Sequence, residues 1–353
     1  MSTTIPPTEQ REQLAQQRRT VDFDTYDVTV EELLRRVGKH RIDIAPVYQR
    51  QFRWDKSRQA RLVESILLGI PVPPLFMATN TVSGEQNRWE VVDGVQRLLT
   101  LVNFAGDAST RQTANLDDEP LRLVDMEKLT TFEGFSFDEL PTDIQTTFED
   151  RPLKVIILND KSELQVRYDL FERLNTGGIA LTDQEIRECV YRGEFVDLLG
   201  HLAQSGDFNT VVRIPAPRQK DGTREDFVLR FFAFLEQYQS FDHSVQGFLN
   251  DYIASVYREP DIDRRETIFN QTFEYLARCF PEGLKSRKGQ TPVNLFEAVS
   301  VGAALALAEN PSIPVSDTSW VASDDLRMLV TGATNSRPRV RDRILFAKGK
   351  FLG

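Results

Sequence analysis

At 353 residues the chain exceeds one usual domain; 40% of it is hydrophobic, 27% is charged, and the net charge is −10. The length predicts two domains and the composition a globular protein with a real core, while the acidic balance excludes a protein that coats nucleic acid nonspecifically. No apolar run approaches the ~18 residues of a membrane span, and MSTTIPPTEQREQLAQQRRT lacks a signal-peptide core, so no membrane partner and a cytoplasmic location are expected.

Residues 1–20 are polar and without sustained periodicity, a flexible arm. Thr29 and Glu32 have capping-box spacing ahead of Leu33, Leu34 and Val37, which predicts a short helix, and Ile42 and Ile44 alternate with Asp43 as a strand ending at Pro46. In VYQRQFRWDKSRQARLVESILLGIPVPPLFM, Asp55 or Ser57 caps a helix with Leu62, Val63, Ile66, Leu67 and Ile70 on one face, stopped by Pro71, Pro73 and Pro74. Leu75–Thr79 and Trp89–Val92 read as strands around a turn at Ser83 and Gly84.

They lead into VVDGVQRLLTL, Val91 to Leu101, where β-branched residues meet Asp93 and Gly94 and Gln96 opens a helix to Phe104. A strand, a tight turn and a helix start gather turn amides and polar side chains at one strand end, a frequent place for an anionic ligand. Residues 106–120 read as a polar loop, and Leu121–Met126 and Leu153–Leu158 as further strands around a partly helical insertion. A helix carrying Leu164, Tyr168, Phe171 and Leu174 ends in Asn175, Thr176, Gly177 and Gly178; Thr182 and Glu185 then box the start of another through Ile186, Cys189 and Val190. Beyond about residue 195 only helical runs remain, Phe227–Tyr238, Val245–Tyr257, Glu266–Phe280, Val293–Leu307 and Asp324–Leu329, with Pro215 and Pro217 marking a hinge between the halves.

Charge is distributed unevenly. Nine Lys/Arg between Arg35 and Arg61 stand against two acids, a +7 window; Arg337 to Lys350 carries +5, which leaves −22 for the remainder. Such segments suit phosphate contacts, from nucleotide or nucleic acid, or else solvated helix faces and ion pairs at a domain interface. Cys189 and Cys279 fall in apolar helical patterns and are expected as buried thiols. Walker, GxGxxG, GxSxG and HExxH signatures are absent, and His40, His201 and His243 are too widely spaced for a histidine-metal nuclease.

VYQRQFRW, SILLGIPVPPLFM, VVDGVQRLLTL and LFERLNTGGIALTDQEIRE fall in the order and spacing of the N-terminal domain of GmrSD-type restriction endonucleases, and over about residues 25–195 the chain resembles that family. REDFVLRFFAF and SRPRVRDRI look like its helical extension. The resemblance implies an α+β fold: a ParB/sulfiredoxin-like domain with a small mixed sheet over residues 21–195, then an all-α domain over 196–353. It also implies an NTP-binding and NTP-hydrolysing, Mg²⁺-dependent, DNA-directed protein of prokaryotic defence against phage or modified DNA. The family's DGQQR stands here as DGVQR, with Val95 in place of the first glutamine, and no histidine is placed for the HNH-like nuclease that related proteins add. The alternative is therefore a catalytically weak sensing module that regulates a separate partner nuclease; a homo-oligomer is compatible with either.

Chemically, Arg50, Arg53 and Arg97 suit phosphate oxygens, and Gln49 and Gln96 suit a water or a base edge. Asp93 suits Mg²⁺. Gly94, Asn175 and Gly177 offer backbone or amide donors that phosphates approach closely. Tyr48, Trp54 and Arg58 are the candidate nucleic-acid contacts, by stacking and charge. The expected catalytic set is Asp93, Gln96 and Arg97.

Overall fold

A computed structural model describes residues 10–12, 14–15, 22–44, 54–80, 88–159, 168, 170, 172–173, 182–218, 221–284, 289–315, 317–332 and 334–353. The architecture is α+β, and the chain divides into two units, Met1–Ala180 and Leu181–Gly353. Pro215 and Pro217, expected at a hinge, lie within the second unit.

The first unit is built on β1 (Phe23–Thr29), α1 (Val30–Gly38), β2 (Ile42–Asp43), α2 (Lys56–Leu67), β3 (Leu75–Asn80), β4 (Arg88–Asp93), α3 (Val95–Ala105), α4 (Ala108–Thr113), α5 (Thr142–Glu149) and β5 (Pro152–Leu158). The strands form a mixed sheet in the order β1-β5-β3-β4-β2. β1 pairs with β5 and β3 with β4 antiparallel, whereas β3–β5 and β2–β4 are parallel. Leu75, Met77, Val91, Val155 and Ile157 share one face through this register and are buried, the period-two burial of a strand with one covered face. α3 packs on β3 and α1 packs on α3.

Three elements correct the sequence reading. β1 was not expected, because FDTYDVT interleaves acids with its alternation; it is an edge strand whose first five residues are exposed, where charge is tolerated. Leu121–Met126 is not a strand of the sheet: its alternation reflects burial of Leu121 and Leu123, while Leu123 exchanges backbone hydrogen bonds with Gly134 and Phe135. The polar stretch after Gly106 contains α4, capped by Asp107, whose Oδ1 accepts from Thr110 N at 2.7 Å.

The segment between α4 and β5 is pinned to α2 by the buried Glu64, whose carboxylate accepts from the backbone N–H groups of Lys128 (2.7 Å) and Leu129 (2.8 Å). Burial pushes the Glu64 carboxyl up, but these donors outweigh it and hold it below the usual carboxylate range.

The second unit is helical: α6 (Asp183–Val190), α7 (Glu194–Leu202), α8 (Gly206–Val211), α9 (Thr223–Gln237), α10 (Val245–Val256), α11 (Ile262–Cys279), α12 (Val293–Glu309), α13 (Asp324–Val330) and α14 (Arg337–Leu352). From Leu295 to Ala306 α12 is buried around almost its whole circumference, and apolar except for Glu297 and Ser300, because α9, α11 and α14 surround it. Phe208, Phe231, Phe269, Phe273 and Phe296 fill the core with edge-on and tilted ring pairs. The α12–α14 crossing is set by Gly302: a Cβ there would lie 2.7 Å from Ala347 Cβ and 2.8 Å from Lys348 N. Gly302→Ala is therefore expected to destabilise this unit by about 1–3 kcal/mol through overpacking against backbone. Urea unfolding checks it; an unchanged midpoint would mean the crossing relaxes freely.

A chain of charged groups also runs through this interior. Arg187 donates to Asn250 Oδ1 (2.8 Å) and Asp226 Oδ1 (3.2 Å), and Arg230 bridges Asp226 Oδ2 (2.5 Å) and Glu297 Oε1 (2.9 Å). Arg343 closes the chain, donating to Glu297 Oε2 and, at 3.1 Å, to Thr334 O. Burial pulls Arg230 down, but the Asp226 and Glu297 charges outweigh it and hold its pKa above the ordinary guanidinium value.

The +5 segment is used structurally. Arg337 and Arg339 donate to the carbonyls of Phe241 and Met328, Arg341 and Lys348 pair with Asp342 and Glu309, and Lys350 lies over the Phe346 ring. In the +7 window, Arg35 and Arg36 pair with Glu32 and Arg61 with Glu127, whereas Lys39, Arg41, Lys56 and Arg58 are exposed and make no ion pair among the described residues. Cys189 and Cys279 are buried free thiols. Among the described residues no helix is long and apolar enough to cross a membrane.

Candidate functional site

The β4–α3 turn begins with an irregular ladder. Phe76 pairs with Asp93 and Met77 with Val91, so Val92 is an extra residue in β4. A bulge of this kind re-aims the residue beside it, here Asp93. Gly94 follows at φ 93°, ψ 14°, a left-handed conformation that glycine adopts without strain. Its carbonyl accepts from Leu98 N at 2.9 Å to start α3, and no side chain caps that helix. The first-turn amides thus face the strand end with the positive pole of the helix dipole.

Arg97 lies one turn into α3 and folds back over this start. Its Nη2 donates to Asp93 Oδ2 at 2.8 Å and to Pro74 O at 3.1 Å, and its Nε is buried without a partner among the described residues. Asp93 is 36% exposed and Arg97 16%, so the carboxylate is the accessible member and the guanidinium the oriented one. Gln96 joins a second helix start: its Oε1 accepts from Trp54 N at 3.2 Å, immediately before Asp55 caps α2 by accepting from Arg58 N at 2.8 Å. Behind it, Gln59 donates to Trp54 O (2.9 Å) and accepts from Asn103 of α3 (2.8 Å). This relay holds the N-termini of α2 and α3 together.

Of the expected site residues, the structure brings together Asp93, Gly94, Gln96, Arg97 and Trp54, the last through its main chain. Arg58 stands exposed in the first turn of α2. Tyr48, Gln49, Arg50, Arg53, Asn175 and Gly177 lie outside the described residues, as do the Ser83–Gly84 turn and Leu164, Phe171 and Leu174 of the expected helix. Sequence reasoning missed Pro74, Gln59 and Asn103. Gln59 carried a usable signal, since it lies beside Ala60 on the buried side of α2.

The donor set fits an anion. Among the described residues no group of three or more His, Cys, Asp or Glu is placed to hold a metal ion. A Mg²⁺ at Asp93 would accordingly take its other ligands from water and from the anion itself, the usual arrangement for this ion with phosphates.

In comparison with known families, residues 30–192 match the model described as GmrSD restriction endonuclease, N-terminal domain. A comparison with curated proteins gives no match. The matched segment contains α2, β3, β4 and α3, and with them the whole Asp93–Arg97 turn. Residues 30–192 of the chain belong to the GmrSD restriction endonuclease N-terminal domain family.

Proposed function

We propose that the chain is a restriction-type defence protein, directed at phage or modified DNA, whose ParB/sulfiredoxin-like first unit binds and hydrolyses a nucleoside triphosphate with Mg²⁺ at the Asp93–Arg97 turn. The observation that carries this reading is the uncapped N-terminus of α3 behind Gly94, next to an arginine already oriented by Asp93 and Pro74. Phosphoryl transfer needs positioned positive charge more than covalent chemistry from the protein. The α3 amides and Arg97 supply that charge, Gln96 fixes the site against α2, and Asp93 offers a carboxylate oxygen to the ion. Bound Mg²⁺ would neutralise charge on the phosphate oxygens.

One observation favours a weaker, sensing role with a separate nuclease as partner. Asp93 is the single acid of the turn and is already engaged by Arg97, and Val95 stands where the family pattern has glutamine. Phosphate release from ATP, GTP, CTP and UTP with Mg²⁺, with and without DNA, separates the readings. The hydrolytic reading expects turnover that falls by about 10²–10³ in Arg97→Ala, the usual loss for one transition-state donor. Background release from folded protein whose melting temperature still rises with nucleotide would select the sensing role. Turnover equal in wild type and Arg97→Ala would remove this turn as the site.

A further inference from the structure

The sheet carries a second feature near the opposite end of β4. A hollow of about 700 Å³ is lined by Asp24 and Tyr26 of β1, Arg36 of α1, Arg41, Trp89 of β4, and Asn159, a size suited to a small ligand. Tyr26 and Trp89 lie on the same face of the sheet by register, with ring centroids 6.3 Å apart and planes 23° from parallel. The Arg36 guanidinium sits 3.8 Å from the centre of the Trp89 ring and is fixed there by Glu32, which accepts from its Nε at 2.7 Å. Tyr26 is 46% exposed, an aromatic surface held open on a rigid strand.

The three carboxylates that line the hollow, Asp24, Asp27 and Glu32, already have partners. Asp27 pairs with Lys154 at 3.1 Å, and Asp24 accepts from Asn159 Nδ2 at 3.1 Å. Arg41 differs: its guanidinium has no hydrogen-bond or ion-pair partner among the described residues, and neighbouring Lys39 is likewise exposed and unpaired. What the site offers is a stacking surface with unspent positive charge at its rim. That combination takes a planar ring bearing an anionic tail.

We propose that this hollow binds a nucleobase, stacked on the Tyr26–Trp89 surface, with the attached phosphate held by Arg41. It is distinct from the β4–α3 turn, since Trp89 and Asp93 are four residues apart on one strand, about 13 Å at the rise of a β-strand. It stands whether or not that turn hydrolyses a nucleotide.

The test is run in an Arg97→Ala background, so that the turn contributes little. Binding of 5′-AMP is followed by equilibrium dialysis and binding of a short labelled oligo(dA) by fluorescence anisotropy. At least one probe should bind saturably, with affinity weakened about tenfold or more by Tyr26→Ala and by Arg41→Ala and kept in Tyr26→Phe. Arg41→Ala should also flatten the salt dependence. Both side chains are exposed, so thermal unfolding of these variants should match the parent. Saturable AMP binding assigns the hollow to a free nucleotide, and binding of the oligonucleotide alone assigns it to a single strand; either supports the site. Absence of binding by both probes, or affinities unmoved by Tyr26→Ala and Arg41→Ala, overturns it.

Discussion

Gly94→Ala is expected to destabilise the first unit by about 1–3 kcal/mol and to remove any shift in melting temperature produced by a nucleoside triphosphate with Mg²⁺. Two effects combine at this position. The backbone is left-handed, at φ 93°, which costs an L side chain about 1–2 kcal/mol. The added Cβ would also lie 2.5 Å from Leu75 Cδ2 and 2.9 Å from Arg97 Nη2, so relief displaces the group that Asp93 and Pro74 hold in place. Gly134 supplies the control: its φ is 84° and a Cβ there meets nothing within 4 Å, so Gly134→Ala should show the backbone cost alone and keep the nucleotide shift. Equal losses in the two variants would mean that close packing around Arg97 contributes nothing.

Glu297→Ala should be the most damaging single change in the helical unit, costing about 3–5 kcal/mol, the usual effect of removing one partner from a buried ion pair. Glu297 is 1% exposed and accepts from both Arg230 and Arg343, and Arg343 is itself fully buried. Three guanidiniums share two carboxylates in this chain of contacts, so losing Glu297 leaves Arg343, among the described residues, with only the Thr334 carbonyl. Glu297→Gln, which keeps the shape and an acceptor, should cost less. Pairing Glu297→Met with Arg343→Met should recover much of the loss, because an apolar pair replaces an expensive desolvated one. Amide hydrogen exchange in α12 and α14 reads this unit separately from the first. A double variant as damaged as Glu297→Ala would show that the network contributes by packing rather than by charge.

The Asp93–Arg97 turn was legible in the sequence because its chemistry is local. A β-branched run, a glycine able to take positive φ and an apolar run of helical period occupy eleven consecutive residues, and strand, turn and helix fall where that pattern puts them. The caps behaved the same way: Thr182 and Glu185 form the full capping box of α6, and Thr29 caps α1, although Glu32 there pairs with Arg35 and Arg36 instead of closing the box. What orients the site was not legible. The bulge at Val92 depends on pairing with β3, and the Gln96–Trp54–Gln59–Asn103 relay joins residues about forty positions apart. β1 escaped notice because an edge strand accepts acids that would argue against an inner one. The basic windows could be counted but not interpreted, since Glu32, Glu127, Glu297 and Glu309, which absorb much of that charge, come from other turns or distant segments.

The buried arginine chain bears on how far the matched stretch could stand alone as an evolutionary module. The family match stops at residue 192, so it includes α6 and Arg187 but neither α9 nor α10, whose Asp226 and Asn250 receive that guanidinium. A gene fragment ending at this border would leave Arg187 and the covered face of α6 open to water, without the helices that bury them. α6 therefore belongs structurally with the helices that follow it, although the family match assigns it to the stretch before them.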